Sequence, residues 1–318
     1  MKIYSSSDGS ATINNTSIRG CFTFQNFWGA GPDISAAGGP TGFIVTNATI
    51  ADCYMFAEQP MINYNTPSNR NWVVANNTIV ASGFTVKDVI SGAITNNTMF
   101  GDKTDPLSNG GDYPTFQLIQ EQGTNSLDWA HFVWDYNRYY IRSWHVANDT
   151  EFITYFSGIS YGWYFSQWQT NMGFDLHSTY TRGDPRWNDG HADAWPTNYL
   201  DAAVRRLDYD TNRYHVCVVS TSGQTNLAFN LSSCGFNPGD RYRLRDAQNP
   251  LVTVRYALYQ GGTIDVPLNL TNVVGLFGNR NTNVHANVLF PGLFNVFILD
   301  RVPKVVPASN LHVIGSQP

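Results

Sequence analysis

Asn76-Asn77-Thr78-Ile79 and Asn96-Asn97-Thr98-Met99 repeat a phrase met twice before, at Asn15-Thr16-Ser17-Ile18 and Asn47-Ala48-Thr49-Ile50. Each copy follows one apolar, β-prone run and leads into another. Taking Ile18, Ile50, Ile79 and Met99 as equivalent anchors gives steps of 32, 29 and 20 residues. That is the range for one supersecondary unit repeated along an axis, with insertions thrown out on one face. In a parallel solenoid the coils lie about 4.8 Å apart. Equivalent Asn residues would then stack, bond amide to amide and adopt the left-handed turn that Asn tolerates.

Composition bounds the rest. With 318 residues, 42% hydrophobic and 14% aromatic, the chain has ample material for a core. Only 14% is charged, against about 25% in an average soluble domain. Asn, Thr, Ser, Gly and Tyr take the place of charge, as in many extracellular β-rich proteins. A net charge of -5 without a basic stripe leaves nucleic acid little to hold. No apolar run reaches the length of about eighteen residues that spans a membrane. Met1 to Ser7 carries no apolar signal-peptide core, and the repeat begins without a polar capping segment. The expectation is therefore a processed or partial form of a longer secreted or cell-surface protein.

Residues 1–195 read as parallel coils with an aromatic-rich closing segment. Cys21-Phe22-Thr23-Phe24, Gly42-Phe43-Ile44-Val45, Trp72-Val73-Val74, Phe84-Thr85-Val86 and Phe116-Gln117-Leu118-Ile119 are short strands bounded by turn residues. Ser166 to Gly173 predicts one short helix, capped by Ser166 and stopped by Gly173. The alternation from Phe174 to Tyr180 predicts a return to strand. Residues 196–302 carry strand signals at short intervals: Tyr214 to Ser220, Thr225 to Leu231, Arg241 to Arg245, Val252 to Ala257, Thr263 to Val266 and Phe294 to Leu299. With turns at Ser222-Gly223, Pro238-Gly239-Asp240 and Gly261-Gly262, they predict an antiparallel β-sandwich. Residues 303–318 read as an extended arm across the surface or onto a neighbouring subunit.

Cys21 and Cys53 each stand six residues after a repeated Asn, so stacked coils would bring them together. A spacing of about 4.8 Å suits a disulfide, and a buried reduced stack is the alternative. Cys217 and Cys234 flank an expected hairpin and form the second candidate bridge.

The succession Asp135-Tyr136-Asn137-Arg138-Tyr139-Tyr140, then Trp168 to Ser178, resembles the last coils of bacterial right-handed parallel β-helix repeat proteins of the pectate-lyase-like superfamily. Gly239 to Pro250 and Phe294 to Leu299 are similar to the β-sandwich appended to many of them. The resemblance implies an all-β protein, a right-handed parallel β-helix followed by an antiparallel β-sandwich. Its members include polysaccharide lyases, hydrolases and adhesins, so it fixes no activity.

Catalysis on that scaffold needs a paired acid and base, sometimes with Ca2+ as cofactor. The early coils offer only Asp33, Asp52, Glu58 and Asp88, scattered. The best candidates are Asp175, His177 and His191 as catalytic groups, with Asp189 and Asp193 as metal ligands, since Asp189, His191 and Asp193 alternate along one strand face. The bland reading is a solvated loop, with Asp175 and His177 satisfying buried backbone groups. Trp28, Trp187 and Trp195 lie in loops and are candidates for stacking on sugars. Asn148, Asn230 and Asn269 stand in glycosylation sequons outside the repeated turn. Two functions remain open. One is an extracellular structural or adhesive subunit, self-assembling through the β-helix end and the tail and associated with polysaccharide or glycan. The other is a polysaccharide lyase or glycoside hydrolase.

Overall fold

The computed structural model describes residues 2–5, 12–24, 33–36, 44–56, 61–62, 69–80, 84–101, 116–120, 131–141, 152–156, 159–182, 200–274, 285 and 294–303. The described chain is all-β apart from one α-helix, α1 (Phe165–Met172), and a short 3-10 turn at Leu231–Cys234.

Three parallel sheets are built tier by tier. The first holds Ser17–Arg19, Thr49–Ala51, Trp72–Ala75, Gly92–Thr95 and Phe132–Asp135. The second holds Phe22–Phe24, Tyr54–Phe56, Thr78–Val80, Thr98–Gly101, Arg138–Ile141 and Thr179–Arg182. The third holds Met61–Ile62, Phe84–Lys87, Phe116–Gln120 and Phe152–Phe156, and closes on the antiparallel strand Ile159–Trp163. The chain visits the sheets in turn, so residues one tier apart become register partners. Ile18, Ile50, Val74, Ile94 and Trp134 form one such column in the first sheet. Met55, Ile79, Met99 and Tyr139 form another in the second, and Phe84, Phe116 and Phe152 a third. All of them are buried in one core. Gly92 is needed where it stands, because a Cβ there would meet the Trp72 carbonyl oxygen at 2.7 Å.

The repeated phrase occupies two corners rather than one. Asn15, Asn47 and Asn71 turn the chain into the first sheet, with φ of 56°, 53° and 57°. Gly20, Asp52, Asn76, Asn96 and Tyr136 turn it from the first sheet into the second, with φ of 61°, 60°, 58°, 56° and 60°. Asn15 and Asn47 are therefore not equivalent to Asn76 and Asn96. The apparent 29-residue step runs one strand past a full tier.

The described residues between 200 and 302 form antiparallel sheets. Leu200–Arg206, Arg213–Ser220, Phe294–Val302, Arg241–Asp246 and Asn249–Leu258 lie side by side in that order. Asn226–Asn230 pairs with Thr263–Pro267. One face of the larger sheet, with Val216, Val218, Leu244 and Leu299, covers Leu227, Phe229, Ile264 and Val266. The other face, with Cys217, Val219, Phe294, Val296 and Ile298, buries the outward column Phe56, Val80 and Phe100 of the second parallel sheet. Phe56 and Phe294 stack at 5.3 Å across this seam. The second parallel sheet is thus covered on both faces, as parallel sheets require.

Several sequence expectations are corrected here. All four cysteines are free thiols. Cys21 and Cys53 do stack, but their sulfurs bond to backbone carbonyls, Cys53 Sγ to Ala51 O at 3.2 Å and Cys21 Sγ to Arg19 O at 3.5 Å. A hydrogen bond from Cys53 lowers the Cys21 thiol to about 7, and the same pairing, then burial, pushes Cys53 up. Cys217 and Cys234 cannot meet, because Cys217 faces the seam and Cys234 the opposite core. The expected hairpin between them is absent, since Asn226–Asn230 leaves for the smaller sheet. The helix starts one residue before Ser166, and Tyr164 occupies its cap position; Gly173 ends it at φ 69° as anticipated. Phe174 to Ser178 forms turns rather than strand.

Candidate functional site

One position after each corner between the first and second sheets, a side chain turns inward. These residues are Cys21, Cys53, Asn77, Asn97 and Asn137. The three Asn residues are 0–1% exposed and form a ladder. Asn97 Nδ2 donates to Asn137 Oδ1 at 3.1 Å and to Val74 O at 2.9 Å. Asn97 Oδ1 accepts from the backbone N–H and the Nδ2 of Asn77, both at 3.0 Å. Every tier therefore satisfies backbone groups of its neighbours that no sheet ladder reaches. Cys53 takes the same place with a thiol, its Sγ 3.8 Å from Ile18 O.

Asp175 ends the ladder. Its backbone is left-handed at φ 54° and its side chain is 0% exposed. Oδ1 accepts from Asn137 Nδ2 at 3.0 Å and Ser178 Oγ at 2.6 Å, and Oδ2 from Tyr139 Oη at 2.8 Å and Trp168 Nε1 at 2.9 Å. Tyr139 Oη in turn accepts from Trp134 Nε1 at 2.8 Å. Burial raises the Asp175 carboxyl to about 6 against the pull of these hydrogen bonds. Burial, then the Asp175 charge, raises the Tyr139 hydroxyl, which stays a donor. A carboxylate so enclosed is a structural knot beneath α1 and cannot touch a substrate.

His177 stands apart from Asp175, with its side chain 62% exposed. Its partner is Asp135, 42 residues away, which holds Nδ1 at 2.6 Å with Oδ2 and the His177 amide at 2.7 Å with Oδ1. Tyr136 stacks on the imidazole at 5.0 Å and 9°. Burial opposes charge on Asp135, but bonds from the His177 ring and amide and the Tyr136 amide outweigh it and hold the carboxyl below its usual range. The result is an imidazole oriented by a carboxylate, with Nε2 left for other chemistry.

His191, Asp189, Asp193, Trp28, Trp187, Trp195 and Asn148 lie outside the described residues. Among the described residues no three His, Cys, Asp or Glu side chains come together to hold a metal ion. No described helix is long and apolar enough to cross a membrane. Asn230 and Asn269 are exposed, and Asn230 Oδ1 also accepts from Ser232 N and Tyr259 Oη at 3.0 and 2.9 Å.

The seam also buries a histidine that the sequence reading passed over. His215 is 3% exposed, edge-on to Phe22 at 5.2 Å and Tyr54 at 5.9 Å. Burial, then the charges of Arg213 and Arg205, lower it to about 4. Between its unfolded value of about 6.5 and pH 4 the unfolded chain takes up a proton that the native seam refuses. His215 therefore subtracts up to about 3 kcal/mol of stability as pH falls through that window. Relative to wild type, a His215→Phe variant should gain stability on going from pH 7 to pH 4.5, read from urea titrations at the two pH values.

Two of the cavities lined by described residues bear on the site. One of about 440 Å3 opens beside Tyr214, Cys234 and Arg301. The other, of about 290 Å3, runs along the seam beside Arg138 and Arg205. Comparison of the chain with protein-family models, with curated proteins and with solved structures finds no match.

Proposed function

We propose that the stacked parallel sheets form a right-handed parallel β-helix, flanked by a β-sandwich that begins near residue 196. The protein then works outside the cell as a structural or adhesive subunit that holds carbohydrate without cleaving it. The observation that carries this reading is the state of Asp175, the acid of the expected catalytic pair. All its acceptor positions are filled by core donors, among them Asn137 and Tyr139, 38 and 36 residues away in the chain. End-to-end assembly is supported by Ser17–Arg19 and Phe22–Phe24, whose outer edges pair with no other strand among the described residues.

A second reading, a lyase or hydrolase, is favoured by the exposed Asp135–His177 pair. The two are separated by incubating the protein with a panel of acidic and neutral polysaccharides. Retention of a polysaccharide in affinity electrophoresis without new chain ends supports the binding subunit. Release of oligosaccharides that His177→Ala abolishes establishes the enzyme instead.

A further inference from the structure

The cavity of about 440 Å3 opens where three strands of the larger antiparallel sheet reach their ends beside the turn Leu231–Cys234. Strand alternation sets its walls. Val204 and Arg206 stand two residues apart on Leu200–Arg206, so both lie on the face that packs Val204 against the core of Leu227 and Phe229. Arg206 is the register partner of Tyr214, and Tyr214 that of Leu299. Arg301 follows Leu299 by two residues and shares its face. A face that buries Tyr214 and Leu299 therefore ends in two guanidinium groups, and no carboxylate lines the cavity among the described residues.

Two donors there are open. Tyr214 is only 7% exposed, its ring 5.9 Å from that of Phe236, yet its hydroxyl makes no hydrogen bond among the described residues. A phenol so placed calls for an acceptor. Arg206 gives its Nε to Thr211 O at 3.0 Å and meets no acid among the described residues. Arg301 is already committed. Its Nη2 donates to Gly235 O at 2.6 Å, its Nε lies 3.7 Å from Asp240 Oδ2, and its guanidinium covers the Phe236 ring at 4.6 Å. Arg301 thus balances Asp240, and the charge of Arg206 is left over. The remaining wall, with Val204, the Tyr214 ring and the Cys234 thiol, is apolar or weakly polar.

We propose that this cavity binds a small organic anion, its carboxylate on Arg206 and the Tyr214 hydroxyl and its apolar body against Val204 and Cys234. A guanidinium and a phenol recognise a carboxylate by charge-assisted hydrogen bonds that an alcohol of the same shape cannot match. The volume falls within the range of about 300–1,000 Å3 usual for small-molecule pockets. No residue of the parallel sheets lines the cavity, so the proposal stands apart from the carbohydrate reading.

The test is calorimetric titration of the full chain with octanoate, phenylacetate, octan-1-ol, acetate and inorganic phosphate. Octanoate or phenylacetate should bind, with octan-1-ol, acetate and phosphate at least about tenfold weaker. Arg206→Gln should weaken binding about tenfold and Tyr214→Phe about fivefold. Arg206 is exposed and Phe keeps the buried ring, so both variants fold. Cys234 reports the place: the bound carboxylate should slow its alkylation and leave that of Cys21 unchanged. Octan-1-ol, acetate or phosphate binding as tightly, both variants binding as wild type, an unprotected Cys234, or no binding of either carboxylate would overturn the site.

Discussion

Replacing Asp175 by Ala should lower the thermal unfolding midpoint by about 10 °C, corresponding to about 5 kcal/mol. Four donors, from Asn137, Ser178, Tyr139 and Trp168, lose their acceptor at once. Each orphaned buried donor costs about 1–3 kcal/mol, less where water enters the space left behind. Asp175→Asn should cost about 2 kcal/mol, because Ser178 Oγ can turn to accept while the oxygen keeps Tyr139 and Trp168. The pH dependence separates this from simple loss of contacts. A carboxyl raised to about 6 holds a proton that the unfolded chain releases above its own value near 3.8. Acidification from pH 7 to 4 therefore stabilises the native state through Asp175 by up to about 3 kcal/mol. His215 works in the opposite sense over nearly the same range. The two should largely cancel in the wild type, while Asp175→Asn becomes acid-labile and His215→Phe gains stability on acidification. Urea midpoints for the three proteins at pH 7, 5.5 and 4.5 check this; parallel curves would refute both assignments.

Asn97→Leu should cost about 4 kcal/mol, read from urea midpoints at constant m-value. Asn97 is the middle rung, and its removal leaves the Asn77 backbone N–H and the Val74 carbonyl without partners inside a sealed core. Leu adds apolar volume but no donor. The molecule contains its own control, since Cys53 holds the equivalent place with a thiol. Asn97→Cys should therefore cost roughly half as much, the weak S–H donor replacing one of the lost bonds. Equal losses for Leu and Cys would mean that the rung acts through volume and not through hydrogen bonding.

The sequence revealed the repeat and the character of its turns, but not which corner each copy occupies. Gly20, Asp52, Asn76, Asn96 and Tyr136 all adopt the same left-handed geometry at one corner, so residue type alone cannot align them. The stacking of Cys21 on Cys53 was legible from spacing; their bonding to carbonyls was not. The strands between Arg213 and Val302 were legible because Gly and Pro turns bracket them. Leu200–Arg206 was missed, since Asp201, Arg205 and Arg206 interrupt its apolar pattern at a sheet edge. The pairing of His177 with Asp135, and of Arg138 with Arg205 across a cleft, joins distant segments. Only the tier alignment brings them together.

The rungs between Cys53 and Asn137 have a consequence for how such a chain changes length. Each rung speaks only to the tiers directly above and below, so the stretch from Asn77 to Asn96 is a self-consistent unit whose tandem copy would find its bonds already defined. What limits such growth is the seam. The antiparallel sheet grips Phe56, Val80 and Phe100 in three successive tiers, and an extra tier among them would slide every later grip out of place. The tiers from Phe56 to Phe100 are thus fixed in number by their neighbour, and freedom to lengthen lies with those the neighbour does not hold.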